Sequence, residues 1–510
     1  MDALLDPRSG RTYTYDPVRW RGEDGAPLTM TPRTGIGPAQ IDTVERSLWR
    51  YRGALPGEIA APVTLGEGCT PLVAARWGQQ DVRFKLEWFN PTGSFKDRGT
   101  SVMISALSQV GVEAVIEDSS GNGGSSVAGY CAAAGIAARI LAPESTSPTK
   151  VLQARAYGAE VALVPGDRDA TGAQAVREAA TTCYASHNWH PLFLQGVKTL
   201  AYELWEDLGF SAPDAIVTVA GAGSIVLGCD LGFGELLAAG HIDRLPRLLV
   251  AQPERCAPIH AAFQGHTDVD FGPTIAEGTA IRTPIRLPEV VEAIRRSDGD
   301  TAAIPEEDIV AATRRLAGIG LYAEPTCASA AAAIDVFAAR GAIRPGETTV
   351  VVLTGTGLKA AVAMGQVFGV TEDELPLREA GTSVTATAPS APKRFSDAAH
   401  PYSPLRVAGD VVFVSGQLGV ADGEIVRGGI LAETRQAFAN LAATLSTAGL
   451  GFPDIVKITV YLASMTDRHA MDEVYLATLP EPLPARTCFA VGELPFGARV
   501  ELDVIASRAG

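Results

Sequence analysis

Lys96 is the residue of this sequence whose surroundings best suit covalent chemistry. It lies in the stretch 89–99, which reads FNPTGSFKDRG. The proline and glycine predict a tight turn, and the small and acidic residues that follow predict the first turn of a helix. Because the positive end of a helix dipole favours a free amine over an ammonium ion, a lysine held there is available as a nucleophile. A positioned, neutral lysine is what Schiff-base formation with an aldehyde cofactor requires.

Three later segments are rich in glycine, serine and threonine, and each follows a predicted strand. They are residues 119–126 (SSGNGGSS), 220–225 (AGAGSI) and 354–359 (TGTGLK). Backbone N–H groups in such a turn, at the start of a helix, bind carboxylate or phosphate groups. Taken singly, each segment is also typical of an ordinary glycine turn. The second lacks the full spacing and the ribose-binding acid of a dinucleotide fingerprint.

In this order the four segments resemble the motifs of fold-type II pyridoxal-phosphate enzymes, most closely the threonine synthase-like branch. The resemblance implies that Lys96 holds pyridoxal 5′-phosphate and later serves as the base that removes the substrate Cα proton. It assigns Asn122 to the 3′-oxygen of the cofactor and Thr354 to its pyridine nitrogen. A hydroxyl partner does not demand a protonated ring, which favours rapid loss of a leaving group. The remaining expected contacts are Gly221, Ala222, Gly223 and Ser224 for the phosphate, and Ser119, Ser120 and Gly121 for the substrate carboxylate.

One segment departs from the pattern of true threonine synthases. Residues 187–199 read HNWHPLFLQGVKT, and the register puts Phe193 where the related enzymes carry an arginine that grips the substrate phosphate. Other residues fill that bidentate role poorly, so a less charged substrate than phosphohomoserine is expected. Four nearby side chains either line the substrate side or are buried as structural residues, and both readings stay open: His187, Asn188, His190 and Lys198.

The elements that must position these residues follow a recognisable alternation. From 61 to 372, short apolar strands alternate with Ala-rich helical runs, which predicts an α/β domain with parallel sheets covered by helices. Ligands of such sheets bind at the carboxyl ends of the strands. Residues 1–60 show weak periodicity and are predicted to be an N-terminal arm packed on this domain. The arm resembles the opening knuckle of threonine-synthase-like chains but lacks its cysteines, so no metal site is expected. Residues 373–399, rich in Pro, Thr, Ala and Ser, read as a linker.

Residues 400–510 form a second predicted domain, an α+β module. Its motifs resemble the RidA (YjgF/Tdc-F/UK114) family, whose fold is chorismate-mutase-like. The matching segments are 400–403 (HPYS), 414–417 (VSGQ), 436–441 (QAFANL), 454–457 (DIVK), 484–488 (PARTC) and 494–501 (LPFGARVE). Members of this family form trimers with clefts between subunits. Active members hydrolyse the enamine or imine products of pyridoxal-phosphate lyases.

The chemistry of individual residues agrees with that role. Arg486 offers a planar fork for the carboxylate of a 2-imino acid, and Glu501 is placed to orient or deprotonate a hydrolytic water. Tyr402 and Ser415 match substrate-contact positions of the family. Cys488 follows Arg486 by two residues. If this segment is a strand, the two side chains point to the same face of the sheet. Some family members lack the arginine and only bind or scaffold. Retention of Arg486, Glu501 and Tyr402 therefore favours catalysis, with these three as the catalytic residues of the tail.

The overall composition limits the classes of partner that the protein is expected to bind. A formal net charge of −16 argues against nucleic acid or an anionic membrane surface, and no apolar run reaches the length of a membrane span. The seven cysteines are scattered and never in Cys-x-x-Cys, which fits a reducing, cytoplasmic compartment. The expected partners are a small amino-acid substrate and further copies of the chain. A trimeric tail and a commonly dimeric body would together give a hexamer.

Three hypotheses for the whole chain follow. In the first, the body is an ammonia-lyase that eliminates a β- or γ-substituent from a hydroxy or otherwise substituted amino acid. The tail then hydrolyses the enamine or imine to a 2-oxo acid and ammonia. In the second, the body is a replacement enzyme, threonine synthase-like or tryptophan synthase-like, whose tail removes leaked enamine. In the third, the chain is a non-catalytic assembly protein, against which the intact Lys96 weighs heavily. Loss of the phosphate-gripping arginine favours the first.

Overall fold

The computed structural model describes residues 2–146, 148–266, 271–369 and 402–508, which fold as two compact units. The predicted linker at 373–399, the first two residues of the predicted second domain, and the boundary at 372 lie outside the described residues.

The N-terminal segment contains a small antiparallel sheet in the order β2-β1-β3. Leu4, Leu28 and Met30 from this segment are buried in the main hydrophobic core, so the predicted arm is part of the core packing. Strands of two or three residues are too short to show the alternation by which strands are recognised. The strands are β1 (Ala3–Leu5), β2 (Thr12–Thr14) and β3 (Thr29–Met30).

The body of the first unit contains two further sheets. The four-stranded sheet is parallel throughout, in the order β8-β7-β6-β9. The six-stranded sheet has the order β12-β11-β10-β13-β5-β4 and is parallel except for the pair of β4 and β5. The strands are β4 (Leu72–Trp77), β5 (Gln80–Leu86), β6 (Ala114–Glu117), β7 (Ala137–Pro143), β8 (Glu160–Val164), β9 (Cys183–Tyr184), β10 (Ala215–Val219), β11 (Arg247–Pro253), β12 (Asp300–Ile304) and β13 (Thr349–Leu353).

The sequence pattern explains these sheets. Strands β10 and β13 are buried at every position, as expected for apolar runs in a parallel sheet covered on both faces. The covering helices are α1 (Lys96–Gln109), α2 (Asn122–Ala134), α3 (Pro148–Ala156), α4 (Arg168–Glu178), α5 (Pro191–Val197), α6 (Thr199–Asp207), α7 (Ser224–Ala238), α8 (Pro258–Gln264), α9 (Leu287–Arg296), α10 (Glu306–Gly318), α11 (Pro325–Ala339) and α12 (Ala361–Phe368). The α/β class predicted from the alternation is confirmed.

The second unit is a five-stranded sheet in the order β14-β15-β20-β18-β19, covered on one face by two helices. Alternate residues of β20 are buried, which is the pattern of a sheet with one covered and one open face. A two-stranded β16–β17 ribbon lies beside it. The elements are β14 (Leu405–Ala408), β15 (Val411–Leu418), β16 (Val420–Ala421), β17 (Glu424–Ile425), α13 (Gly429–Ser446), β18 (Ile455–Leu462), α14 (Arg468–Thr478), β19 (Ala485–Ala490) and β20 (Val500–Ser507).

The described residues lack two kinds of feature. Within the described ranges, no helix combines the length and the apolar character needed to cross a bilayer. In that same part of the chain, no group of three or more His, Cys, Asp or Glu side chains is arranged to hold a metal ion.

Candidate active site

A cavity of about 370 Å³ opens where parallel strands of the four-stranded and six-stranded sheets end. Strands β6, β10 and β13 each lead at their carboxyl ends into one of the three glycine-rich segments, and β9 leads into the segment of His187. Ligand sites of parallel sheets lie at such edges. The structure therefore brings together every candidate that the sequence placed in the first site: Lys96, Ser119, Ser120, Gly121, Asn122, Gly221, Ala222, Gly223, Ser224 and Thr354.

Lys96 is the first residue of α1 and lines the cavity. Its ammonium nitrogen lies 3.9 Å from the centre of the Phe95 ring. Burial lowers the pKa of Lys96 to about 8, and the nearby charge of Glu324 opposes that shift. A lysine in this state supplies far more neutral amine near pH 8 than an exposed lysine does.

The residues beside Lys96 hold its turn in place. The carboxylate of Asp97 accepts hydrogen bonds from the backbone N–H and hydroxyl of Thr92 and from the hydroxyl of Ser126. Arg98 is fully buried and forms ion pairs with Glu87 at 2.7 Å and Glu203 at 2.9 Å. These contacts explain why an acidic and a basic residue directly follow the lysine.

The segment 220–225 forms a cradle at the start of α7. Gly223 has φ +86°, and a Cβ atom there would lie 2.3 Å from the Cγ2 atom of Val290. A Cβ atom on Gly221 would lie 3.1 to 3.2 Å from atoms of the 278–281 segment. Because the first N–H groups of a helix have no intrahelical acceptor, this narrow turn of small residues suits an anion such as a phosphate.

Glu324 is a residue of the site that the sequence did not reveal. It precedes α11, is buried, and accepts a hydrogen bond of 3.2 Å from the side-chain amide of Asn122. Burial raises the pKa of its carboxyl. A Cβ atom on Gly355 would lie 2.4 Å from the Glu324 carboxylate, so the glycine of the closing motif makes room for this acid. No local spacing in the sequence connects these residues.

Lys359, the last residue of the 354–359 segment, has a role in the site that the sequence motif did not specify. Its ammonium group donates to the carbonyl oxygen of Thr92 at 2.8 Å and to the hydroxyl of Ser125 at 2.7 Å. Burial lowers the pKa of Lys359 to about 8. The lysine thereby joins the closing motif to the turn before Lys96 and to the start of α2.

Of the four polar residues singled out in the segment 187–199, two line the cavity and two are buried elsewhere. His187 and Asn188 line the cavity. His190 instead lies outside the cavity lining, with its Nε2 atom 3.0 Å from the carbonyl oxygen of Pro17. Lys198 forms a buried ion pair with Glu235 at 2.7 Å. The first two thus line the cavity, and the last two make buried structural contacts away from it.

Phe193 does not replace an arginine within the cavity. Its side chain is fully buried in the hydrophobic core, and a Cβ atom on Gly99 would lie 2.5 Å from its ring. A cavity-lining guanidinium comes from elsewhere, because Arg168 at the start of α4 lines the cavity. The sequence around position 193 gives no sign of Arg168, since that residue lies on another helix.

The donor set of the cavity fits pyridoxal phosphate. An amine of lowered pKa would bind its aldehyde, and the cradle at α7 would hold its phosphate. The amide of Asn122 and the hydroxyl of Thr354 supply neutral polar groups on the remaining sides. The volume falls within the range of small-molecule pockets, roughly 300–1,000 Å³.

The predicted residues of the second unit lie on two faces of its sheet. Arg486 and Cys488 pair with Ile458 and Val460, whose side chains are buried under the helices. Arg486 accordingly contacts α14, where it forms an ion pair with Asp472 and lies 4.7 Å over the Tyr475 ring. The prediction that Arg486 and Cys488 point to one side agrees with this register.

Glu501 lies on the opposite, open face. It pairs with Tyr461, whose ring contacts Phe489 at 5.2 Å, and it alternates with the buried residues of β20. Burial raises the pKa of Glu501. The hydroxyl of Ser415 donates to the carbonyl oxygen of Ser403, which ties the segment of Tyr402 to β15 beside Glu501. One copy of this unit therefore does not bring Arg486 and Glu501 together.

Comparison with known proteins gives matches for both units. Residues 63–355 match the family model described as pyridoxal-phosphate dependent enzyme, and residues 391–508 match the model described as endoribonuclease L-PSP. Threonine synthase of Methanocaldococcus jannaschii is 32% identical over 372 residues, which cover 69% of this chain and 91% of that protein. Threonine synthase of Synechocystis is 36% identical over 356 residues, or 65% and 91% of the two chains.

Solved structures agree on the fold. Maize serine racemase superimposes with a TM-score of 0.50 at 23% identity, over 59% of this chain and 92% of that one. O-ureido-L-serine synthase superimposes with a TM-score of 0.51 at 23% identity, over 59% and 93% of the respective chains. At this level of identity the likeness concerns the fold alone.

Proposed function

This chain belongs to the family of pyridoxal-phosphate-dependent enzymes and carries a C-terminal RidA-type domain, and on this basis we propose that it is a bifunctional amino-acid lyase. Its first unit eliminates a β- or γ-substituent from a hydroxy or otherwise substituted amino acid. Its second unit hydrolyses the released enamine or imine to a 2-oxo acid and ammonia. The observation that carries the proposal is the amine of Lys96, which shares one cavity with the phosphate cradle and the serine-rich carboxylate turn.

Pyridoxal phosphate, when bound, supplies an electron-withdrawing ring that acidifies the Cα–H bond of the substrate. Residues of the chain bind the substrate, transfer the proton and orient the ring. The turn from Ser119 to Gly121, at the start of α2, holds the substrate carboxylate. The neutral amine of Lys96 takes the Cα proton, because the lowered pKa of this lysine leaves it partly unprotonated near neutral pH. Asn122, held by Glu324, and the hydroxyl of Thr354 fix the orientation of the ring.

The second unit works on the product that leaves the first. Arg486 binds the carboxylate of the imino acid, and Glu501 activates the water that attacks the imine carbon. Since the two side chains lie on opposite faces of one sheet, this assignment requires Arg486 of one copy and Glu501 of another. The assignment therefore requires a homo-oligomer, in which the tail forms a trimer and the whole protein a hexamer. A cytoplasmic location, where amino acids are metabolised, completes the proposal.

A replacement enzyme of the threonine synthase type is the second candidate. Arg168 is the observation that favours it, because a guanidinium lining the cavity suits a substrate phosphate even though position 193 has no arginine. In that case the second unit would serve to remove leaked enamine.

The test is to incubate the protein and pyridoxal phosphate with single amino acids, and to measure ammonia and 2-oxo acid. Hydroxy amino acids such as serine and threonine are supplied alone, and O-phosphohomoserine is supplied in parallel. Oxo acid and ammonia from a single amino acid support the lyase. Formation of threonine and phosphate from O-phosphohomoserine, with no oxo acid from any single amino acid, would establish the replacement enzyme instead.

A further inference from the structure

His187 and Glu117 form a buried pair beside Lys96. The Nδ1 atom of His187 is hydrogen-bonded to the Glu117 carboxyl. Glu117 is completely buried at the end of β6, and the His187 side chain is 5% exposed. His187 lines the cavity together with Lys96. The pair of His187 and Glu117 therefore connects the cavity to the carboxyl group of Glu117, which can carry a proton.

The surroundings hold the imidazole ring in one orientation. A Cβ atom on Gly123 would lie 2.7 Å from the Nδ1 atom, so this glycine leaves space for the ring. The Phe193 ring packs against His187 edge to face, with 6.0 Å between the ring centres. Among the described residues, the Nε2 atom has no hydrogen-bond partner. Because Glu117 holds Nδ1 and the residue lines the cavity, Nε2 is the ring nitrogen available to a ligand.

We propose that His187 is a catalytic acid that passes a proton from Glu117 to the departing oxygen of a β-hydroxy amino acid. This inference rests on the proposed lyase function and names its substrate class. Hydroxide is a poor leaving group and departs readily only as water, whereas a phosphate group departs without a proton. An enzyme for hydroxy amino acids therefore needs an acid at the place where a phosphate-eliminating enzyme needs an anion-binding residue.

The protonation states are consistent with this role. Burial raises the pKa of Glu117 to about 8, so its carboxyl carries a proton at neutral pH. Burial lowers the pKa of His187 well below its ordinary value, so the ring is neutral. The other charged groups facing the pair are Lys96 on α1, Arg168 on α4 and Asp118 after β6. The two cations disfavour a positively charged imidazole.

The proton transfers balance without a further reactant. Lys96 takes the Cα proton, the electron pair of that bond forms the Cα=Cβ bond, and the Cβ–O bond breaks towards oxygen. The Nε2–H of His187 donates its proton to this oxygen, which leaves as water. The O–H of Glu117 donates to Nδ1 at the same time. The ring ends neutral in its other tautomer, and Glu117 ends as a carboxylate.

The first experiment compares leaving groups in the His187→Asn variant of the full-length protein with bound cofactor. The hydroxy substrate is serine or threonine, and β-chloroalanine is the probe whose chloride leaves without a proton. Elimination from the hydroxy substrate should fall by roughly 100-fold or more, while elimination from β-chloroalanine changes by less than about threefold. His190→Asn is the matched control, because His190 is equally buried on the same segment but lies outside the cavity lining.

Glu117→Gln provides a second variant, which keeps a hydrogen-bond donor for Nδ1 but carries no transferable proton. It should show the same selective loss. In the wild type, the ratio of the hydroxy-substrate rate to the β-chloroalanine rate should fall as pH rises through about 8, where Glu117 loses its proton. Taking the ratio cancels the titration of Lys96, which acts on both substrates. A solvent deuterium isotope effect should likewise be larger for the hydroxy substrate.

Equal loss on both substrates, or no loss on either, in both variants would overturn the role of the pair. Cofactor absorbance and thermal unfolding of each variant show whether the fold is intact. A wild type that eliminates chloride but never water would overturn this inference and leave the lyase proposal standing. A wild type that produces no oxo acid from any amino acid would overturn both.

Discussion

The side-chain amide of Asn122 donates a hydrogen bond of 3.2 Å to the carboxylate of Glu324, 202 positions later in the chain. Asn122 begins α2, beside the four-stranded sheet, and Glu324 directly precedes α11, beside the six-stranded sheet. The bond therefore joins the two sides of the cavity at the residue expected to contact the 3′-oxygen of the cofactor.

Removal of this acid should weaken cofactor binding. In Glu324→Ala the Asn122 amide loses its buried partner, and a charged hydrogen bond contributes roughly 1.5–3 kcal/mol, so pyridoxal phosphate should bind about 10- to 100-fold more weakly. Titration of the cofactor-free protein, followed by absorbance, measures this affinity. Glu307→Ala, on the exposed surface of α10, should bind the cofactor as the wild type does. An unchanged affinity in Glu324→Ala would show that Glu324 does not position Asn122.

Imine formation at Lys96 should depend on pH in a way that an exposed lysine would not. Because burial lowers the pKa of Lys96 to about 8, the neutral fraction rises about tenfold between pH 7 and pH 9 and then levels off. The rate of imine formation with added pyridoxal phosphate should follow this curve. Borohydride reduction and peptide mapping should place the ring on residue 96. A rate that still climbs through pH 10, or a label on another lysine, would contradict the assignment.

The ion pairs of Arg98 should matter for stability. Arg98→Ala leaves the buried carboxylates of Glu87 and Glu203 without their guanidinium partner, which costs about 3–5 kcal/mol in free energy of unfolding. Urea unfolding of the full chain measures the loss in the transition of the first unit. Arg244→Ala removes an ion pair in which the arginine is 74% exposed, and it should cost less than about 1 kcal/mol. Similar losses of unfolding free energy in the two variants would show that the ion pairs of Arg98 do not stabilise the first unit.

The cradle at α7 should not tolerate a side chain. Gly223→Ala combines a left-handed backbone with a Cβ atom 2.3 Å from Val290, so the helix start must shift and the cofactor phosphate should bind at least about tenfold more weakly. Gly240→Ala is the matched control, since it has φ +73° but no atom within 4 Å of its Cβ position. That variant should lose only about 1 kcal/mol in stability and keep its cofactor affinity. Equal cofactor affinity in both variants would argue against a phosphate at this turn.

Arg486→Ala should separate the two activities. The variant should keep the cofactor absorbance and the rate of enamine release, while oxo-acid formation slows relative to enamine formation, because the imino acid loses its carboxylate partner. Rapid trapping of the enamine and a coupled oxo-acid assay measure the two steps. Arg435→Ala, exposed on α13, is the control and should behave as the wild type. Unchanged oxo-acid formation in Arg486→Ala would show that the second unit does not catalyse hydrolysis under those conditions.

Local pattern was enough to predict much of the fold. The alternation of short strands and helices predicted for 61–372 is observed, because buried apolar runs and helical periodicity depend on neighbours in sequence. The N-terminal sheet was missed, since its two- and three-residue strands carry no periodicity and depend on packing of Leu4 and Leu28 into the core.

The sequence by itself determined which segments end strands and open helices, and hence that Lys96, Asn122, Gly223 and Thr354 share one edge of an α/β domain. Chain direction and turn chemistry decide this locally. Only the tertiary structure decided which distant side chains meet there. Packing of separate helices brings Glu324 and Arg168 to the cavity and buries Phe193 outside it, and strand register places Arg486 and Glu501 on opposite faces. Such pairings depend on contacts between residues far apart in the chain, which no local spacing encodes.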